Sequence, residues 1–167
     1  PTADHFVEPL LLEPATKRNT VFPLPLEEVV LYDAYKHHRS TFWSVEEVDR
    51  SNDAKQFAAL SKDEQRYLSY TLAFFASSDE LVGENLEQNF EQEVKLPSAR
   101  KFYSFQKAIE DVHSEMYSLL IIEYIKDPVE RDRLLNAVVE IECIKRKADW
   151  LRTYMSRDVP FVRRLVA

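Results

Sequence analysis

The protein has 167 residues, 45% of them hydrophobic and 31% charged, which suits one domain with a packed core and argues against intrinsic disorder. Its formal net charge of −7 offers no basic surface for nucleic acid or an anionic membrane. A single glycine excludes glycine-rich phosphate loops, and no apolar run is long enough to cross a membrane. The single cysteine, Cys143, cannot form an internal disulfide, so we expect a cytoplasmic setting.

Prolines separate the beginning of the sequence from the rest. Five of the eight prolines lie in residues 1–25, which predicts an extended N-terminal arm. Helical patterns then continue to the end, and Ser44, Ser61 and Asp127 stand at the positions of N-terminal caps. The predicted helices cover residues 27–42, 51–60, 61–94, 97–126, 127–141 and 144–156, with a short helix after Ser44 and another beginning at Phe161.

A carboxylate interrupts the apolar stripe of the helix that opens at Ser61. Asp79 lies four residues after Phe75 and three before Val82, where the spacing calls for an apolar residue. A carboxylate among apolar side chains is costly unless it is paired, protonated or bound to a metal. The stripe consists of Leu68, Leu72, Phe75, Val82 and Leu86. A buried salt bridge or a hydrogen bond between helices would explain Asp79 as well as a metal would.

The next long helix carries the pair Glu110-x-x-His113. At 100° per residue, Glu110, His113 and Tyr117 share one inward arc beside the apolar face. The i, i+3 spacing lets one helix present a carboxylate and an imidazole to the same metal. Such a short motif also arises by chance, so a buried polar network remains an alternative. Oxygen donors with imidazole suit iron or manganese better than a structural zinc.

Several separated segments together resemble the small, radical-generating subunit of class I ribonucleotide reductase, most closely its eukaryotic members. The similarity runs from Glu8 to about Trp150. It is carried by five segments in the same order: residues 40–49 (STFWSVEEVD), 72–79 (LAFFASSD), 110–120 (EDVHSEMYSLL), 126–128 (KDP) and 147–150 (KADW). The resemblance implies an all-α, ferritin-like di-iron helical bundle, of which residues 26–167 would form the N-terminal portion.

The resemblance also implies roles for individual residues. Asp79, Glu110 and His113 would be ligands of the first iron, with manganese as an alternative metal. Tyr117 would be the tyrosine that is oxidised to a stable radical, and Trp43 would lie on the electron-transfer route. The family forms homodimers and passes its radical to a large catalytic subunit, which reduces ribonucleoside diphosphates.

The family pattern is only half present, because no second Glu-x-x-His occurs in the sequence. Three of the six ligands that the resemblance implies are therefore missing. We consider a fragment of a longer subunit, two copies that complete each other's site, or a metal-free helical assembly module on the same scaffold. For these 167 residues in isolation we expect weak metal binding, no activity and self-association through uncovered apolar faces.

Overall fold

The computed structural model describes residues 8–14 and 20–166, whose regular structure is helical throughout, as predicted. Within these ranges no helix has both the length and the apolar character needed to cross a membrane. The α-helices are α1 (Val29–Ser40), α2 (Asp53–Ala59), α3 (Lys62–Asn85), α4 (Glu91–Glu93), α5 (Pro97–Tyr124), α6 (Pro128–Leu135), α7 (Ala137–Glu140), α8 (Glu142–Met155) and α9 (Phe161–Val166). Short 3-10 helices cover Pro9–Leu11, Leu26–Glu28 and Val45–Glu47.

The predicted arm is only partly described, since residues 1–7 and 15–19 lie outside the described ranges. Pro9–Leu11 form a 3-10 turn rather than extended backbone, and the Glu8 carboxylate caps this turn by accepting a hydrogen bond from the Leu10 N–H at 3.4 Å. The Lys95 N–H donates to the Leu10 carbonyl at 2.8 Å. The boundary between residues 25 and 26 stays a prediction.

Two of the three predicted caps are confirmed. The Ser61 N–H donates to the Glu64 carboxylate at 2.8 Å, and the Glu64 N–H donates back to the Ser61 hydroxyl at 3.3 Å. Asp127 accepts from the Val129 N–H at 3.1 Å and is followed by a proline at the first position of α6. The Ser44 prediction is wrong, because its side chain makes no cap bond and only a 3-10 turn follows.

The long helix predicted to run to Val94 is interrupted by a π-helical segment at Leu86–Phe90. The amide of Asn89 donates to the Asn85 Oδ1 atom and to the Met155 carbonyl, both at 2.8 Å. The guanidinium of Arg157 donates to the Gln88 carbonyl at 2.6 Å. Side chains thus satisfy the polar groups that this wider turn leaves available.

A second predicted helix, 127–141, is also broken. It ends at Leu135, and α7 begins at Ala137. The Asn136 amide donates to the Asp132 carbonyl at 2.8 Å, so a side chain competes there with the regular backbone bonding of the helix.

The described residues divide into two compact units. The first contains residues up to Phe42 together with Glu84–Ala108 and the segment from Tyr154, and its buried rings include Phe90 and Phe161. The second contains Trp43–Gly83 and Ile109–Thr153. The core of the second unit consists of Ala73, Ile121, Leu134, Ala137, Ile141 and Ile144.

The predicted stripe of α3 and its continuation is only partly the face that is packed. Leu72 packs against this core and Leu86 is 3% exposed, whereas Leu68 and Phe75 are 38% and 40% exposed. The buried residues of α3 also include Ser69, Ala73 and Leu81, which lie outside the stripe.

A buried carboxylate that the sequence did not single out lies at the start of α5. Glu28 is 1% exposed, and its Oε2 atom accepts a hydrogen bond from the Ser98 N–H at 3.0 Å. The free N–H groups and the positive end of the dipole at a helix N-terminus stabilise such a carboxylate.

Glu28→Ala should lower the free energy of unfolding by about 2–3 kcal/mol, because it leaves a buried N–H at a helix terminus without its charged acceptor. Glu28→Gln should cost less, since its amide oxygen can still accept the bond. Glu27→Ala, on the exposed neighbour, is the matched control and should stay within about 0.5 kcal/mol of the wild type. Urea denaturation followed by circular dichroism measures all three. An equal loss in the Glu27 and Glu28 variants would contradict this role for the buried carboxylate.

Candidate metal centre

The parts of two helices that belong to the second unit bring the three predicted ligand residues together. Asp79 comes from α3, and Glu110 and His113 come from α5. One ligand atom from each of the three side chains lies within 4.8 Å of the others. The expected convergence is thus present in the structure, and the assignment of these residues as metal ligands stays a prediction.

Glu110 and His113 face the same way because they are about one helical turn apart. The Nδ1 atom of His113 lies 3.2 Å from the Glu110 Oε2 atom. The Glu110 side chain is 15% exposed and that of His113 is 33% exposed. The pair is therefore shielded from most of the solvent while the imidazole remains reachable from outside.

The carboxylates of Asp79 and Glu110 repel each other electrostatically. Burial raises the pKa of Asp79 to about 6, with a further contribution from the negative charge of Glu110, while His113 acts in the opposite direction. A carboxyl group with this pKa lacks a fully compensating cation. A bound divalent metal would supply that charge.

Tyr117 lies one turn beyond His113, and its ring stacks on Phe75 of α3. The ring centroids are 5.3 Å apart and the planes are inclined by 21°. Burial, with the nearby charges of Asp79 and Glu110, raises the pKa of the Tyr117 phenol. The apolar stripe identified Phe75 only as a core residue. Its position one turn before Asp79 was the available signal for a place in the site.

Trp43 is the remaining residue with a predicted functional role, and it lies beside the imidazole. Its ring centroid is 5.7 Å from that of His113, with an interplanar angle of 32°. All five residues with a predicted role therefore belong to the second unit. Two aromatic contacts lie at the candidate site, one between Trp43 and His113 and the other between Phe75 and Tyr117.

The donor set identifies a class of proteins. Helical proteins that hold metal through inward-facing carboxylates combine a carboxylate from one helix with a Glu-x-x-His pair from another. The residues fit this use, because two carboxylate oxygens and an imidazole suit iron or manganese and balance the charge of one divalent ion.

Comparisons with known proteins agree with this class. The family model described as "Ribonucleotide reductase, small chain" matches residues 18–167. The M2 subunit of ribonucleoside-diphosphate reductase from Rattus norvegicus is 45% identical over 168 residues, which cover 43% of that protein and 100% of this one. The ribonucleoside-diphosphate reductase small chain from Spisula solidissima is 46% identical over 162 residues, which cover 41% of that protein and 96% of this one. The chain belongs to the small-chain family of ribonucleotide reductases.

Solved structures support the fold. The ribonucleotide reductase R2 subunit from Clostridium botulinum aligns with a TM-score of 0.70 and 21% identity, over 43% of its own length and 82% of this protein. The dimanganese(II) form of NrdF from Streptococcus sanguinis aligns with a TM-score of 0.72 and 16% identity, over 49% of its own length and 83% of this protein. The predicted ferritin-like architecture of this family is confirmed. The chain spans a little less than half the length of these relatives and structures.

The pKa of Asp79 predicts a pH-dependent stability of the metal-free protein. Its value is raised from 3.8 to about 6, so the protonated form favours folding at low pH, and this stability is lost as the pH rises through about 6. Asp79→Asn should therefore be more stable than the wild type at pH 7.5, by about 1 kcal/mol after allowance for solvent screening of a half-buried group, and equal to it near pH 4. Denaturation in the presence of a chelator at several pH values measures the difference. Glu80→Gln, on an exposed neighbour, is the control. An effect of Asp79→Asn that does not change with pH would contradict the raised pKa of Asp79.

Proposed function

We propose that this chain forms part of the small subunit of ribonucleoside-diphosphate reductase and provides one ligand set of a di-iron centre together with the tyrosine that becomes a radical. The observation that carries the proposal is the convergence of Asp79, Glu110 and His113 within 4.8 Å, in a protein that belongs to the family. A metal-free assembly module is disfavoured by the same observation, since nothing in such a module would require two carboxylates to lie so close together.

The negative charges of Asp79 and Glu110 favour the binding of a cation at this site. At neutral pH a carboxyl group with a pKa of about 6 is mostly ionised, so metal binding must displace only a small proton population from Asp79. Asp79 and Glu110 then provide two negative charges, and His113 provides a neutral nitrogen. Iron is our preferred metal. Manganese has similar donor preferences, and the solved structure from Streptococcus sanguinis is a dimanganese(II) form.

Tyr117 has the surroundings that an oxidisable phenol requires. Phe75 stacks on one face of its ring, and the raised pKa keeps the hydroxyl protonated at neutral pH. Oxidation to a neutral radical removes one electron and one proton, so a base must lie near the phenol. The carboxylates of Asp79 and Glu110 are the negative groups that act on it. When bound, the metal pair supplies the oxidising chemistry through its reaction with oxygen.

Trp43 lies beside the candidate metal site, and we assign it a role in electron transfer. Its ring is close to His113, so the indole and the imidazole can couple electronically without an intervening residue. We assign Trp43 to the route by which the radical is exchanged with a large catalytic subunit that reduces ribonucleoside diphosphates. The complete small subunit would act as a homodimer in the cytoplasm.

A chimeric subunit tests this function. These 167 residues would replace the matching 43% of the rat M2 subunit, whose remaining sequence provides the rest of the protein. After addition of ferrous iron and oxygen, the chimera should show a tyrosyl radical by electron paramagnetic resonance and support ribonucleotide reduction with the rat large subunit.

Tyr117→Phe in this chimera should abolish the radical while leaving the iron content unchanged, because the phenyl ring keeps the packing and cannot form a phenoxyl radical. Tyr67→Phe is the matched control, since Tyr67 is 71% exposed on α3, and it should retain the signal. An iron-loaded chimera whose radical survives Tyr117→Phe would contradict the assignment of Tyr117.

A further inference from the structure

A second phenol of α5 is hydrogen-bonded to a carboxylate. The Tyr124 hydroxyl donates to the Oδ2 atom of Asp53, the first residue of α2, over 3.1 Å. The Tyr124 ring stacks on Phe57 of the same helix, with the ring centroids 4.8 Å apart and the planes inclined by 14°. Helix α2 therefore holds this phenol in place and gives its hydroxyl a base within the distance that proton transfer requires.

Tyr124 lies on the same side of α5 as Tyr117. The two residues are seven positions apart, so at 100° per residue they point within about 20° of each other, and their Cα atoms are separated by about 10.5 Å along the axis. Ile121, which is 0% exposed, occupies the turn between them. All three residues belong to the second unit. A continuous length of packed helix therefore joins the two phenols.

The surroundings of Tyr124 favour an oxidation in which an electron and a proton leave together. Burial, with the hydrogen bond and the negative charge of Asp53, raises the pKa of Tyr124 to about 12, while Arg50 acts in the opposite direction. The phenol therefore stays protonated at neutral pH, and the electron cannot come from a phenolate. The negative charge of Asp53 favours removal of the electron from the ring, and its Oδ2 atom is positioned to accept the proton.

We propose that Tyr124 and Asp53 form a second redox-active pair, which exchanges the oxidising equivalent with the Tyr117 radical. In this exchange the O–H bond of Tyr124 breaks, its electron passes along α5 to Tyr117, and its proton passes to Asp53. Tyr117 gains that electron and a proton from the carboxylates that act on it, so its own O–H bond forms again. The inference rests on the proposed function, because the Tyr117 radical is the oxidant. It extends the redox chemistry to a phenol about two helical turns beyond Tyr117.

Tyr70 provides a contrasting tyrosine in the same unit. It is also partly buried, but its hydroxyl accepts a hydrogen bond from the Arg133 guanidinium at 2.8 Å. The guanidinium carbons of Arg66 and Arg133 lie 5.6 and 5.4 Å from the centroid of its ring. Positive charge so close to the ring opposes removal of an electron, so we expect no part for Tyr70 in the exchange.

The chimeric subunit tests the exchange by trapping the oxidising equivalent. Tyr124→3-aminotyrosine keeps the hydroxyl and makes the ring easier to oxidise, so residue 124 should become the final site of the radical. After addition of ferrous iron and oxygen, electron paramagnetic resonance should show the tyrosyl signal decay while an aminotyrosyl signal grows. Tyr70→3-aminotyrosine is the matched control and should keep the tyrosyl signal.

Asp53→Asn, combined with the Tyr124 replacement, separates proton transfer from packing. The amide oxygen can still accept the hydrogen bond, but it cannot take the proton at neutral pH, so trapping at residue 124 should slow by roughly tenfold or more. Trapping should also be slower in D2O than in H2O, because an O–H bond breaks in the same step. Circular dichroism checks that each variant keeps its helical content.

A tyrosyl radical that persists beside an unoxidised aminotyrosine at residue 124 would overturn the inference and leave the proposed function intact. Equal trapping at residues 70 and 124 would also overturn it, as would trapping at an unchanged rate in the Asp53→Asn variant. A chimera that forms no tyrosyl radical at all would refute the proposed function, and the inference would fall with it.

Discussion

The enforced proximity of Asp79 and Glu110 is the constraint on which the proposed metal chemistry depends. Two carboxylates from different helices are held together while partly removed from water, and burial and repulsion together raise the pKa of Asp79 to about 6. A structure tolerates such a pair when a proton or a cation is available to neutralise it. His113 offsets the repulsion only in part. The helices therefore keep the two carboxylates in a higher-energy arrangement that a divalent metal would relieve, as the proposed function requires.

That arrangement needs rigid helices, and specific hydrogen bonds fix the beginning of each helix that carries a candidate ligand. The reciprocal bonds of Ser61 and Glu64 set the first turn of α3, from which Asp79 is about four turns distant. Glu28 accepts from the backbone at the start of α5. Inside the second unit, Ala73 and Ile121 pack into the same core and fix the rotation of α3 and α5 about their axes. The candidate ligands project from these helices rather than from loops, so their positions follow from the packing of the core.

Much of this could be predicted from local sequence, and the failures have physical causes. The caps at Ser61 and Asp127 depend on residues within one turn, and the shared arc of Glu110 and His113 follows from helical periodicity. The convergence of Asp79 with this pair was implied only by the resemblance to the family. The π segment at Leu86–Phe90 could not be predicted in this way, because its polar groups are satisfied by Arg157 and the Met155 carbonyl, which are distant in sequence. The burial of Glu28 depends similarly on a partner 70 residues away. The apolar spacing that includes Leu68 and Phe75 was identified as a stripe, but periodicity cannot tell which of its members are buried among the described residues and which are exposed.

The π segment also changes how the surface of a helix can be used. In a regular α-helix the backbone carbonyls are already bonded along the axis, so a neighbouring segment approaches mainly through side chains. At Leu86–Phe90 the wider turn leaves the Gln88 carbonyl able to accept from Arg157, and the Asn89 amide reaches the Met155 carbonyl. The π segment thus provides a place where directional hydrogen bonds, and not only apolar contacts, join the helix to the residues at and just after the end of α8.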